Sequence, residues 1–444
     1  MPARPALALG LITLFGWTAA PSFGDGPPPV PATRAELKRF LEDSKGNQPR
    51  LPLPALTVEE REKMNRGDWS LANNGRTRKA YLPPEIAGVG FLKVTDPTIT
   101  LDYPFQTMLF WIVSRCNNCT YCMGHQESKL AAAGLTDDTI AALDGDWSAF
   151  SPKQRSAFTL ARKLTLTPQS VVAADVEGLR SFYNNSEITQ ILLFVANFNA
   201  MNRWTGALKI PQEHHREYLT PTASNFHDAV SLVAPLDPNR SKSGPSCAGL
   251  SRRPPLETPE GVARALEACR TRTSILPMAD PDSARSVVSK DFGSEATSSA
   301  PPEWVRLLAQ FPQAGAGRIA LHLTTETKGT LDPKFKAEIA YTAARQDRTW
   351  YALGHARRKL TALGFTPAQI EALDGPLDGF RPEEAAVLGL ARKLTTDPAL
   401  VDDGDIAALR ARMDDKQIAE VVHQIAEAAF FDRLTEAARL RLED

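Results

Sequence analysis

Three cysteines and a histidine stand close together in the run Cys116-Asn117-Asn118-Cys119-Thr120-Tyr121-Cys122-Met123-Gly124-His125. Cys119 and Cys122 form a C-x-x-C pair. At the start of a helix that spacing brings two sulfurs to bonding distance, and the positive end of the helix dipole favours thiolate. His125 falls one turn beyond Cys122 on the same helix face, where an imidazole takes a proton from a thiol or stabilises a thiolate. The thiolate is the form that attacks a peroxide oxygen or a disulfide. By residue type the cluster also suits zinc or an iron–sulfur centre, but consecutive residues on one short turn rarely wrap a tetrahedral ion. Structural zinc sites draw their ligands from two separated knuckles, so no metal is expected. Haem attachment needs histidine directly after the second cysteine, which is absent here. A structural disulfide stapling a helix end is the remaining use. Cys116 has three readings: a buried apolar residue, a third redox thiol, or a link to another molecule.

The elements that must position these groups read as helices. Phe105, Met108, Leu109 and Ile112 have the i, i+3, i+4, i+7 spacing of one buried helix face. A helix following the cysteines is expected to run through His125 to Ala133 and stop at Gly134. Ser151-Pro152-Lys153-Gln154 and Thr366-Pro367-Ala368-Gln369 are capping boxes with proline at the first helical position. From Glu187 to Phe198 the chain is apolar enough for a helix buried on most sides. No sustained period-2 stretch occurs, and the expected fold class is all-α.

An internal repeat organises the chain. At an offset of 230 residues His125 falls on His355, Tyr121 on Tyr351, Gly124 on Gly354, Gly134 on Gly364 and Arg203 on Arg433. The same offset lays Ala161-Arg162-Lys163-Leu164-Thr165 on Ala391-Arg392-Lys393-Leu394-Thr395, with no gap between. So long a period means a duplicated domain, not a solenoid. Gln346, Thr349 and Ala352 replace the three cysteines, so the second copy has no dithiol chemistry. There His355 reads as a satisfied buried histidine or, with Glu338, as an acid/base pair. Arg203 and Arg433 read first as structural partners of a carboxylate across helices, and second as substrate ligands.

The segment Asn118-Cys119-Thr120-Tyr121-Cys122, followed by His125, resembles the N-x-C-x-Y-C-x(2,3)-H signature of the alkylhydroperoxidase D-like and carboxymuconolactone decarboxylase superfamily. The resemblance covers about residues 100–212 and, more weakly, 330–442. It implies two tandem helical bundles, cysteine-bearing and then degenerate, that assemble as a homo-oligomer. For function it implies a thiol-dependent peroxidase or dithiol–disulfide oxidoreductase with no cofactor beyond its redox-active cysteine pair. The substrate would be a hydroperoxide or disulfide, and the partner a dithiol reductant. Carried over by motif, Cys122 attacks the peroxide, Cys119 resolves, and His125 serves the proton relay, with Tyr121 an accessory. The family's peroxidases carry a glutamate upstream of the first cysteine. Here that neighbourhood is Gln106-Thr107-Met108, leaving Asp102 or Glu127 as candidate acids, while Glu338 stands at the corresponding place in the second copy. A non-redox, lactone-decarboxylase-like enzyme and an exported non-catalytic scaffold are the alternatives.

Composition narrows the rest. Fifty-one Lys+Arg against 52 Asp+Glu lacks the basic excess of a nucleic-acid binder. Arg4, the apolar stretch Ala6–Ala20, and Ser22 and Gly24 before Asp25 read as an export signal over residues 1–24, too short to span a membrane. The expected divisions are an N-terminal extension over 25–79, the cysteine-bearing domain over 80–220, a linker over 221–300, and the degenerate domain over 301–444. No membrane contact is expected after signal cleavage. Within the linker, Glu257–Cys269 has the pattern of one helix, and export permits a Cys247–Cys269 bridge.

Overall fold

The structure is a computed structural model, which describes residues 31–65, 71–87, 96–213, 253–288 and 301–443. Among these residues every regular element is a helix, and none is long and apolar enough to cross a membrane. The signal-like run and Cys247 lie outside the described residues.

The helices that build the site are α1 (Arg34–Asp43), α2 (Asn73–Tyr81), α3 (Tyr103–Cys116), α4 (Thr120–Ala132), α5 (Pro152–Leu166) and α6 (Asn185–Ala207). Their second-copy counterparts are α7 (Pro259–Thr271), α8 (Glu303–Leu308), α10 (Pro333–Asp347), α11 (Trp350–Ala362), α12 (Pro382–Thr396) and α13 (Asp415–Ala437), with α9 (Ala314–Thr327) between α8 and α10. Local chemistry sets their ends. Asp102 caps α3 by accepting from the Phe105 amide. Both expected capping boxes form, Ser151 with Gln154 and Thr366 with Gln369. After α4 and α11, Gly134 and Gly364 take the same left-handed φ of 88°, which glycine adopts without a Cβ penalty.

The expected buried face of α3 is buried, with Phe105, Met108, Leu109 and Ile112 all in the core. Helix α6 buries nearly its whole length because its outer side meets α13, the matching helix of the other copy. The two copies are related by a pseudo-twofold exchange across that contact. Arg203 Nη2 donates to the Thr395 carbonyl at 3.0 Å, and Arg433 Nη2 donates to the Thr165 carbonyl at 3.4 Å. Each pair becomes the other when 230 is added to one number and taken from its mate, as in an isologous dimer interface. One core runs through both bundles.

The stretches flanking the bundles contribute to them. Helix α1 packs on α4, and α7 packs on α11. In the first copy Arg115 ties the Pro31 carbonyl and Asp144 together. In the second, Arg345 does the same for the Glu257 carbonyl and Asp374. The stretch expected as linker therefore carries a packed helix, and Val262, Leu266 and Cys269 form its buried face as their spacing predicts. Cys269 is a buried free thiol with its Sγ 3.6 Å from the Leu440 carbonyl.

Candidate functional site

Asn118 turns the chain out of α3 with φ of 50°, a left-handed conformation that Asn tolerates better than most side chains. That turn puts Cys119 at the N-cap of α4. Its Sγ accepts the Cys122 backbone N–H at 3.3 Å, the task that Ser or Asp performs at an ordinary cap. Cys122 comes one turn later, and the two cysteines approach to 2.7 Å without being bonded. Each is only 2% exposed.

One hydroxyl touches both sulfurs. Thr205 Oγ1, on α6, is 3.0 Å from Cys119 Sγ and 3.1 Å from Cys122 Sγ. Burial works against ionisation of Cys119, but hydrogen bonds from Cys122, Thr205, the Cys122 amide and Asn202 outweigh it and hold that thiol below its ordinary range. Burial, reinforced by the Cys119 sulfur, pushes the Cys122 thiol well above it. The N-cap cysteine is thus the sulfur with a backbone N–H aimed at it, which favours negative charge there.

His125 has an acid that neither expected candidate supplies. Its Nε2 lies 2.6 Å from Glu213 Oε2, and Tyr121 donates its hydroxyl proton to Glu213 Oε1 at 2.9 Å. The Tyr121 and His125 rings pack at a tilt of 37° with centroids 4.3 Å apart. An ionised carboxylate facing Nε2 favours the ring proton on that nitrogen. Glu213 is anchored further by the Asn73 amide at 2.7 Å. It arrives on the segment after α6, which lies over α4 where Gln212 Nε2 donates to the Tyr121 carbonyl at 2.8 Å. Gly124 leaves room for the Gln212 side chain, since a Cβ there would stand 2.1 Å from its Nε2 as placed. Gly354 leaves room for the Leu442 side chain in the same way.

The second copy repeats the triad without the thiols. Tyr351 donates to Glu443 Oε1 at 2.8 Å, and His355 Nε2 is 3.1 Å from Glu443 Oε2. Although burial opposes it, hydrogen bonding to His355, the Glu303 amide and Tyr351 holds the Glu443 carboxyl at about 2. Burial lowers His355. Glu213 and Glu443 match at the offset of 230, one residue beyond the span over which the repeat is evident from its motifs. That coincidence is the sequence signal by which the acid is detectable. Thr205 and Thr435 match in the same way, but a threonine inside an apolar helix gives no such signal.

The remaining expected residues lie elsewhere. Glu127 is held by Arg34 and receives the Trp111 indole N–H at 3.2 Å, and Asp102 is occupied as a cap. Cys116 is half-buried at the end of α3. Arg203, fully buried, bonds to Asn199 Oδ1 at 3.0 Å and to the other copy, so it serves the interface between copies. Glu338 and His355 belong to separate networks. Glu338 is buried against Lys334 at 3.6 Å, which also reaches Glu384 at 3.1 Å. Among the described residues no group of three His, Cys, Asp or Glu side chains is arranged to hold a metal ion.

Burial and the neighbouring Glu384 push the Glu338 carboxyl up from 4.5 to about 8. A carboxyl raised on folding contributes its full stability below its unfolded value and loses it as pH rises through the folded one. The wild type is therefore expected to lose stability relative to Glu338→Gln between about pH 4.5 and pH 8. Urea midpoints of the two proteins at several pH values check this, and parallel curves would refute it.

No protein-family model matches the chain, and no curated protein matches it.

Proposed function

We propose that the first copy is a thiol peroxidase that reduces a small hydroperoxide at Cys119, forms a Cys119–Cys122 disulfide, and is returned to the dithiol by a small dithiol reductant. The observation that carries this reading is the position of Cys119 at the N-cap of α4, with Cys122 beside it and the His125–Glu213 pair one turn away. The resemblance of this segment to the alkylhydroperoxidase D-like signature points the same way. The two bundles are then tandem carboxymuconolactone-decarboxylase-like domains, of which one kept its thiols.

Burial supports a small substrate. Sulfurs that are 2% exposed suit a slim hydroperoxide group better than a protein disulfide. The Cys119 thiolate attacks the terminal oxygen of ROOH, the O–O bond breaks, and the alkoxide leaves. His125, backed by Glu213, delivers the proton that turns the alkoxide into ROH. Cys119 is now a sulfenic acid. Cys122 attacks its sulfur, the S–S bond forms, and the oxygen leaves as water with the thiol proton. The external dithiol then supplies two electrons and two protons.

Purified protein with dithiothreitol and hydrogen peroxide or an alkyl hydroperoxide tests this directly, by peroxide loss matched to dithiol oxidation. Glu213→Gln is expected to lower kcat by about 10² with little change in KM, since one acid–base group contributes on that scale. Glu443→Gln is expected to leave the rate unchanged. Equal rates for Glu213→Gln and wild type would remove Glu213 from the relay, and no turnover by the wild type would remove the peroxidase.

A further inference from the structure

Thr205 has one hydroxyl proton and three neighbours that compete for it. Its Oγ1 is 2.9 Å from the Met201 carbonyl, 3.0 Å from Cys119 Sγ and 3.1 Å from Cys122 Sγ. While that proton points at Met201, the oxygen offers the sulfurs only lone pairs. This suits a dithiol, whose S–H groups donate, and is wrong for a thiolate, which can only accept. The carbonyl it would abandon belongs to the helix, where the residue four positions on supplies a backbone N–H as well. Leaving that bond therefore costs less than leaving a buried charge one donor short.

We infer that the Thr205 hydroxyl is a rotating donor for the reacting sulfurs, turned to the Met201 carbonyl in the dithiol and swung to whichever cysteine bears the negative charge. The inference deepens the peroxidase reading and rests on it for the role of each step. With Cys119 ionised, Thr205 donates to that thiolate as it attacks ROOH and ROH departs. With Cys119 oxidised to the sulfenic acid, the same proton swings to Cys122 as it attacks. The S–S bond forms, the S–O bond breaks, and the Cys122 proton leaves in the water. A single hydroxyl at near-equal distance from both sulfurs serves both halves of the cycle, which a donor fixed on one cysteine does not.

The second copy contains its own control. Thr435 stands at the matching place and donates to the Phe431 carbonyl at 2.8 Å, but Thr349 and Ala352 offer no sulfur. Thr435 is thus expected to matter only for packing.

The test reads thiol ionisation, not turnover, so it fails separately from the peroxidase proposal. The reduced full chain is alkylated with iodoacetamide across pH, and modification at Cys119 and Cys122 is followed by peptide mass. Thr205→Val is expected to move the Cys119 profile up by about one to two pH units, slowing its alkylation near neutrality about 10- to 100-fold. Thr205→Ser is expected to restore the wild-type profile, and Thr435→Val to leave it unchanged. Should Thr205→Val fail to fold, Thr205→Ala removes the same donor with space to spare and reads the same shift. Profiles for the hydroxyl-less variants that superimpose on wild type would overturn the inference. So would a Thr205→Ser profile that stays with them.

Discussion

Replacing Cys119 by serine is expected to abolish hydroperoxide turnover by about a thousandfold or more, because the attacking atom itself is lost. Cys122→Ser is expected to behave differently. It retains the first half of the cycle, consumes one equivalent of peroxide, and stops with a sulfenic acid at Cys119 that a dimedone trap labels. The prediction depends on which sulfur carries the charge. Cys119 caps α4, accepts the Cys122 amide at 3.3 Å and has Thr205 at 3.0 Å. Cys122, equally buried, has its thiol pushed up by burial and by the sulfur beside it. The helix dipole adds to the difference, since its effect is confined to the first turn and Cys119 stands at its very start. Dimedone labelling confined to Cys122 in the Cys119→Ser protein would reverse the assignment and restore the order that the family motif implies.

The second large effect is on stability, at the contact between copies. Asp347 is fully buried and meets Arg433 Nη1 at 2.6 Å, with Arg253 on its other oxygen. Burial opposes its ionisation, but Arg433, Arg253 and Arg203 together keep Asp347 charged. Burial and the Asp347 charge push the neighbouring Asp432 well above the carboxylate range. The pair therefore contains a reserve. Asp347→Asn is expected to cost only about 1–3 kcal/mol, because Asp432 can ionise and take over the guanidinium groups. Asp432→Asn alone is expected to cost less than Asp347→Asn, because it leaves the Asp347 carboxylate with its guanidinium partners. The double variant leaves three buried cations without a carboxylate in this cluster and is expected to cost about 3–5 kcal/mol, more than its parts. Urea unfolding of the four proteins measures the coupling. Strict additivity would show that Asp432 holds no reserve.

Much of this protein is legible in one dimension because its signals are local. Helix ends at Ser151, Thr366 and Gly134 follow from capping and backbone chemistry within a few residues. The buried face of α3 follows from helical periodicity, and the duplication from self-similarity at a fixed offset. The C-x-x-C pair and its histidine are likewise set by spacing along one helix. What the tertiary structure decided is every relation between helices. No spacing rule predicts that Glu213, far along the chain, returns to His125 while Glu127, two residues away, faces Arg34 and Trp111. That outcome depends on the segment after α6 lying against α4, where Gln212 holds the Tyr121 carbonyl. Nor does sequence reveal Thr205 between the sulfurs, since it becomes a functional group only once α6 lies against α4. The difference in surroundings between the two thiols also depends on packing. Both thiols share a helix and a depth, and the turn at Asn118 together with the donors around each sulfur separates them. A residue's type and spacing state what chemistry it can perform. Its partners are set by which helix faces the core buries together, and those partners determine where protons and charge reside.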